Sequence, residues 1–170
     1  LYDWGKYYSI KIMFSVIKEE SLDQIKKFKP TLIKVASRTF AENKPLVDKI
    51  IGLNIETFIS LGMVDSYNDI KNFDKINYLW CKSCYPTEVK DLQNFPKFFD
   101  NKIKGYSDHC IGIETCLLAI SRGAKIIEKH FTLDKSENII RDHALSATPE
   151  EFRILTNIGR DINKKVILGI

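Results

Sequence analysis

Strand-like and helix-like segments alternate along the chain. "SIKIMFSV" (Ser9 to Val16) reads as a strand and "EESLDQIKKF" as a helix. "TLIKVAS" (Thr31 to Ser37) reads as a buried strand, and "KPLVDKIIGL" as a helix with Pro45 near its start. "ETFISLG" (Glu56 to Gly62) follows as a strand, "SYNDIKNF" (Ser66 to Phe73) as a short helix, and "INYLWCKS" (Ile76 to Ser83) as a strand. "TEVKDLQNFPKFF" is irregular and partly helical. "IKGYSD" is a short strand, "GIETCLLAISRG" a helix closed by Gly123, and "AKIIEKHF" the last strand. "TPEEFRILTNIGRDINKK" predicts a capped helix, with Thr148 as N-cap, Pro149 in the first turn and Glu151 three residues after the cap.

Six strand–helix units in series predict an α/β fold with a parallel sheet. The strands are apolar on both faces, as a sheet covered by helices requires. Two architectures compete, a doubly wound sheet and a (β/α)8 TIM-type barrel. Polar residues decide between them: Lys34 and Ser37, Ser60, Ser83 and Tyr85, Ser107 and His109, and His130 all fall at the C-terminal ends of successive strands. A barrel builds its active site there, from many strands at once. A doubly wound sheet would use one switch point and a Gly-rich turn, and "SLGM" lacks the G-x-G-x-x-G spacing. A barrel has eight units in about 250 residues. Six units therefore predict an incomplete barrel over residues 1–170, with the first two units expected on the N-terminal side.

The chain has 170 residues, 44% of them hydrophobic, enough for a real core. Its net charge of +4 is scattered, with no dense Lys/Arg run, which argues against a nucleic-acid footprint. No apolar stretch of about 18 residues suggests a membrane span. Leu1 to Lys11 carries charges and tyrosines where a signal peptide has its apolar core, so a cytoplasmic location is expected. Four cysteines occur, and reduced thiols are the expectation. Cys81 and Cys84 form a C-x-x-C without a second pair, so a zinc or redox module ranks low. Two of the three histidines, His109 and His130, each follow a short strand, with one helix between. Taken alone, they read as core or surface histidines rather than as ligands.

"GYSDHCIGIETCLLAISRGAKIIEKHFTLDK" followed by "RDHALS" resembles the signature of the sialic acid synthases, the N-acetylneuraminate synthase family that includes pseudaminic and legionaminic acid synthases. "IKVAS", "SLGM" and "SCYPTE" agree, in order, so the resemblance covers nearly the whole chain. It implies a TIM-barrel transferase of carbohydrate biosynthesis. That enzyme condenses phosphoenolpyruvate with an N-acylated hexosamine, such as N-acetylmannosamine, to a nine-carbon 2-keto sugar acid and releases phosphate. It implies a divalent metal, manganese or magnesium, on His109 and His130, which with Asp142 form the catalytic set. Asp108 and Glu128 become candidates to orient the two rings. The phosphoenolpyruvate positions map onto Lys34, Ser37, Ser60, Tyr85 and Ser107, with Ser15 and Ser83 beside them. A lysine within a buried strand supports this, since an unpaired buried ammonium is costly. Asp142 matches the aspartate that holds the sugar hydroxyls; His143 has no assigned role. Full-length relatives are expected to be homodimers with a C-terminal antifreeze-like domain, which this segment lacks.

Some positions depart from the pattern. Thr39 stands where the family commonly has a carboxylate that contacts the hexosamine. Leu61 replaces a hydroxyl residue, Trp80 replaces histidine, and Ile140-Arg141 replaces Gly-Pro before Asp142. These motivate an alternative: an inactive or truncated remnant that retains anion or metal binding.

Overall fold

The computed structural model describes residues 1–67, 70–136, 141–167 and 169. The chain divides into two compact units, Leu1–Tyr78 and Leu79–Ile170.

The first unit holds α1 (Tyr2–Tyr7), β1 (Phe14–Ser15), α2 (Glu19–Lys26), β2 (Leu32–Val35), α3 (Ser37–Glu42), α4 (Lys44–Gly52) and β3 (Glu56–Ser60). Strand β4 (Ile76–Cys81) runs from it into the second unit. The second unit continues with a 3-10 turn (Val89–Leu92), β5 (Ile103–Asp108), α5 (Glu114–Ser121), β6 (Ile126–Lys129), a 3-10 turn (Arg141–His143) and α6 (Pro149–Ile162). The strands follow one another in the sheet in chain order, β1 to β6. The β1–β2, β2–β3 and β5–β6 pairs are parallel. This is the α/β alternation the sequence predicts.

Within the first unit, Ile33, Val35, Leu46, Val47, Ile50 and Ile59 are fully enclosed. Strand β2 reads as an apolar run because both of its faces are covered. Asn43 caps α4 through its side chain, which accepts from Leu46 N, and Pro45 follows in the first turn. Within the second unit, Tyr106, Leu79, Cys116, Ala119 and Leu145 are buried. Gly105 sits opposite Ile126 in the β5–β6 ladder, and a Cβ there would lie 2.3 Å from the Ile126 carbonyl oxygen. Only glycine allows these strands to approach so closely. Gly123, at φ +93, ends the turn after α5 as expected.

Helix α6 carries the capping box read from the sequence. Glu151 N donates to Thr148 Oγ1 (3.3 Å) and Thr148 N donates to Glu151 Oε2 (2.7 Å). Thr148→Ala is expected to cost about 1 kcal/mol of stability, read as a shift in the urea midpoint at constant slope.

Four segments differ from the sequence reading. Of Ser9 to Val16, only Phe14–Ser15 joins the sheet, at its edge. Helices α1 and α3 were not anticipated; neither has a side-chain cap to announce it. The helix expected at Ser66 to Phe73 falls partly on residues 68–69, outside the described residues, and the described remainder is not helical. There the Lys71 carbonyl accepts from the Tyr78 hydroxyl (3.0 Å), and Ile70 N donates to Tyr67 O (3.3 Å).

Candidate active site

The strand ends place the polar residues, and each unit presents its own group. In the first unit, Lys34 lies on β2 and is 5% exposed. Its ammonium donates to Ser60 Oγ (2.7 Å), at the end of β3, and to the Val35 carbonyl (3.0 Å). Ser37, buried at the start of α3, accepts from Gly62 N (2.9 Å), which leaves its own hydroxyl hydrogen to be donated elsewhere. The result is a buried cation with a hydroxyl on it, and a second buried hydroxyl three residues on in the chain, at Ser37. Ser15 ends β1 and is exposed. Thr39 is buried on α3, and Leu61 is fully enclosed in the core.

In the second unit, the β5–β6 register sets Ser107 opposite Glu128 and Asp108 opposite Lys129. Side chains alternate between faces along each strand. Ser107 and Glu128 therefore share one face, and the Ser107 hydroxyl donates to Glu128 Oε1 (2.9 Å). His109 and His130 follow as the next pair of residues, with ring centroids 5.3 Å apart. Tyr85 lies against both: its ring is 4.1 Å from that of His109 and 6.2 Å, edge-on, from that of His130. Asp142 Oδ2 is 4.0 Å from His130 Nδ1, and both side chains are about one-third exposed (36% and 35%). Ser83 is exposed in the loop after β4.

His109 Nδ1 lies 2.9 Å from the Lys82 carbonyl oxygen. A carbonyl only accepts, so Nδ1 carries the hydrogen and Nε2 keeps its lone pair. Burial holds the His109 pKa below its ordinary value, and the nearby His130 acts in the same direction against the opposing pull of the Lys82 bond. His109 is thus a neutral imidazole at neutral pH with Nε2 as the acceptor, the form a metal ligand takes. Imidazole nitrogens bind metals at about 2.0–2.1 Å, so rings sharing one ion have centroids roughly 5 Å apart. The observed spacing fits. Among the described residues, no group of three or more His, Cys, Asp and Glu side chains is gathered for a metal. An ion on the two histidines would complete its shell with water or substrate, as a catalytic rather than a structural site does.

The orienting group for His109 is the Lys82 carbonyl, not Asp108 as the sequence suggested. Asp108 instead belongs to an enclosed network. It pairs with Lys129 (2.7 Å), both side chains being 0% exposed, and accepts from Tyr106, Cys110 N, Thr115 and Cys116. Burial would raise the Asp108 pKa, but the Lys129 charge and these donors outweigh it and hold the carboxyl below its usual range. The thiols of Cys110 and Cys116 are pushed up, first by burial and then by Asp108, and are inert at neutral pH. Cys81 and Cys84 are not joined in a disulfide, and Cys81 Sγ lies 3.8 Å from His109 Nδ1.

The sequence also left His143 without a role. Its Nδ1 is buried with no hydrogen-bond partner among the described residues, in the turn that carries Asp142.

A sequence model of the NeuB family matches residues 1–167. N-acetylneuraminate-9-phosphate synthase of Drosophila melanogaster is 33% identical over 164 residues, which cover 89% of this chain and 44% of that protein. N,N'-diacetyllegionaminic acid synthase of Campylobacter jejuni is 34% identical over 166 residues, covering 89% of this chain and 49% of that one. The chain spans about half the length of these relatives. The crystal structure of N-acetylneuraminic acid synthetase from Leptospira borgpetersenii, in complex with citrate, superposes at a TM-score of 0.84 with 28% identity, over 99% of this chain and 62% of that one. The fold is thus the TIM-barrel type of the sialic acid synthases, with six strands among the described residues.

Proposed function

This chain belongs to the NeuB family, and from that premise we propose that it forms part of a transferase that condenses phosphoenolpyruvate with an N-acylated hexosamine. The product is a nine-carbon 2-keto sugar acid, and phosphate leaves. The names of its relatives, synthases of acylated sugar acids, support the general reaction. The observation that carries the reading to chemistry is the paired imidazoles, 5.3 Å apart, one of them held neutral with its Nε2 available.

In this reading His109 and His130 hold a manganese or magnesium ion. The ion, when bound, supplies Lewis-acid polarisation of the sugar aldehyde. Asp142 engages sugar hydroxyls beside His130. Lys34, Ser37 and Ser60 bind an anionic group of phosphoenolpyruvate through a charge-assisted contact and two hydroxyls. Tyr85 and Ser107, with Ser15 and Ser83, complete the contacts to that substrate. Tyr85 also braces both imidazoles. We place the protein in the cytoplasm and its full-length relatives as homodimers; no described helix is long and apolar enough to cross a membrane.

A second reading, a remnant that retains anion or metal binding, is favoured by one observation. Leu61 and Thr39 are closed into the interior where the family offers polar contacts. One experiment separates the two. The intact protein with manganese, phosphoenolpyruvate and N-acetylmannosamine, or the diacetylated hexosamines, is expected to release phosphate. Binding of phosphoenolpyruvate or manganese without phosphate release from any of these sugars would favour the remnant.

A further inference from the structure

The separation of His109 and His130 depends on the register between β5 and β6. A slip of one residue turns a side chain to the opposite face of a sheet. Such a slip would part the two imidazoles. The ladder is fixed by Ser107 opposite Glu128 and Asp108 opposite Lys129, one step before the histidines. On one face of that ladder lies the part-buried bond from Ser107 to Glu128. On the other lies the Asp108–Lys129 ion pair, wholly enclosed. A buried ion pair is a weak source of net stability, because desolvation offsets the attraction; its best-attested use is to specify register.

We infer that Asp108 and Lys129 are positioning residues, a register lock that sets the spacing of His109 and His130. The inference rests on reading those histidines as a divalent-metal pair.

The lock reaches beyond the two strands. Asp108 Oδ1 accepts from the Tyr106 hydroxyl (2.6 Å), Cys110 N (3.0 Å) and Thr115 Oγ1 (3.1 Å), and Oδ2 from the Cys116 thiol (3.3 Å). Lys129 Nζ also donates to the Cys110 carbonyl. One carboxylate and one ammonium therefore hold β5, β6, the first turn of α5 and the peptide just beyond His109. A slipped ladder would part the ammonium from its carboxylate and from the Cys110 carbonyl, while the four donors within residues 106–116 keep the carboxylate fixed in place. An apolar pair at the same positions would oppose a slip far less, since methyl groups pack in more than one register.

The test is the double variant Asp108→Asn/Lys129→Met in the intact protein. Asparagine keeps an acceptor for Tyr106, Cys110 N and Thr115; methionine keeps the length without the charge. Three quantities are read: the unfolding temperature, manganese affinity by calorimetry, and nuclear Overhauser contacts between imidazole ring protons in NMR spectra of the metal-free protein. The double variant is expected to unfold cooperatively, to bind manganese about ten- to a hundredfold more weakly, and to lose the contact between the His109 and His130 rings, whose centroids lie 5.3 Å apart in the wild type. Leu155→Ala, on α6, supplies a comparison that lowers stability without touching the lock; its manganese affinity should stay at the wild-type value. A folded double variant with wild-type affinity and wild-type imidazole spectra overturns the lock. Should the double variant not fold, Thr115→Val, which removes one donor to Asp108, is read the same way: a few-fold loss of affinity is expected, and none overturns the lock. Wild-type protein that does not bind manganese refutes the metal reading alone. The metal-free spectra then decide the lock by themselves: an unchanged His109–His130 ring contact in the double variant overturns it.

Discussion

Lys129→Met alone should destabilise residues 79–170 by about 3–5 kcal/mol, because it strands a buried charge. Asp108 in the wild type is pulled in two directions. Burial raises its pKa; the Lys129 ammonium and the surrounding donors lower it, and they prevail. Removing the cation leaves burial in command, so the carboxyl takes up a proton or the segment opens to hydrate it. The pH dependence gives the effect a signature. In the wild type the folded pKa lies below the unfolded value, so the carboxylate's contribution is complete above the ordinary carboxylate pKa and is lost as pH falls through the folded one. In the variant the order reverses, and its deficit shrinks on acidification. Urea unfolding followed by circular dichroism at neutral and mildly acidic pH measures both. A variant within the error of the wild type at neutral pH would show that the pair carries no such burden.

The second large effect is expected at Lys34, and it is of the opposite kind. Lys34→Met should lower phosphoenolpyruvate affinity by up to about a hundredfold while leaving the melting temperature near that of the wild type. A hydrogen bond from a charged group contributes about 1.5–3 kcal/mol, and each 1.4 kcal/mol is about tenfold in affinity. Lys34 is nearly enclosed and donates to Ser60 Oγ and to the Val35 carbonyl. Methionine keeps the length and packing of the buried stem, so the variant should fold. Calorimetric titration with phosphoenolpyruvate and a thermal melt of the same sample give the two readings. Unchanged affinity would remove Lys34 from the site; a large drop in melting temperature would make it a structural residue instead. The contrast between two buried lysines, one needed for folding and one for an anion, is the sharper test of how the polar interior is divided.

The alternation of elements was legible in the sequence because a covered parallel strand and an amphipathic helix carry different patterns. The α6 cap was legible because Thr148, Pro149 and Glu151 each meet a separate demand of a helix start. Helix α3 escaped because Ser37 to Glu42 is only six residues long, follows β2 with only Ala36 between, and has no side-chain cap to mark its start. The β1 region was overread: an alternating pattern marks what could pair, and an edge position lets most of it go unpaired.

The two histidines stood out because each ends a strand within one long motif. Their close approach follows from register, which a single sequence does not state. One signal was available in hindsight: Asp108 and Lys129, of opposite charge, each precede a histidine at the same offset. What no pattern could reveal is the tether on His109, since its partner is a main-chain atom 27 residues away.

That tether has a consequence for how the site can vary. The oxygen that selects the His109 tautomer belongs to the peptide of Lys82, whose side chain is exposed. Every amino acid brings the same carbonyl. Position 82 can therefore drift, or be redesigned for solubility or labelling, while the imidazole keeps its proton on the same nitrogen. A requirement met by the backbone is inherited with the fold, and changes to side chains around it leave it in place.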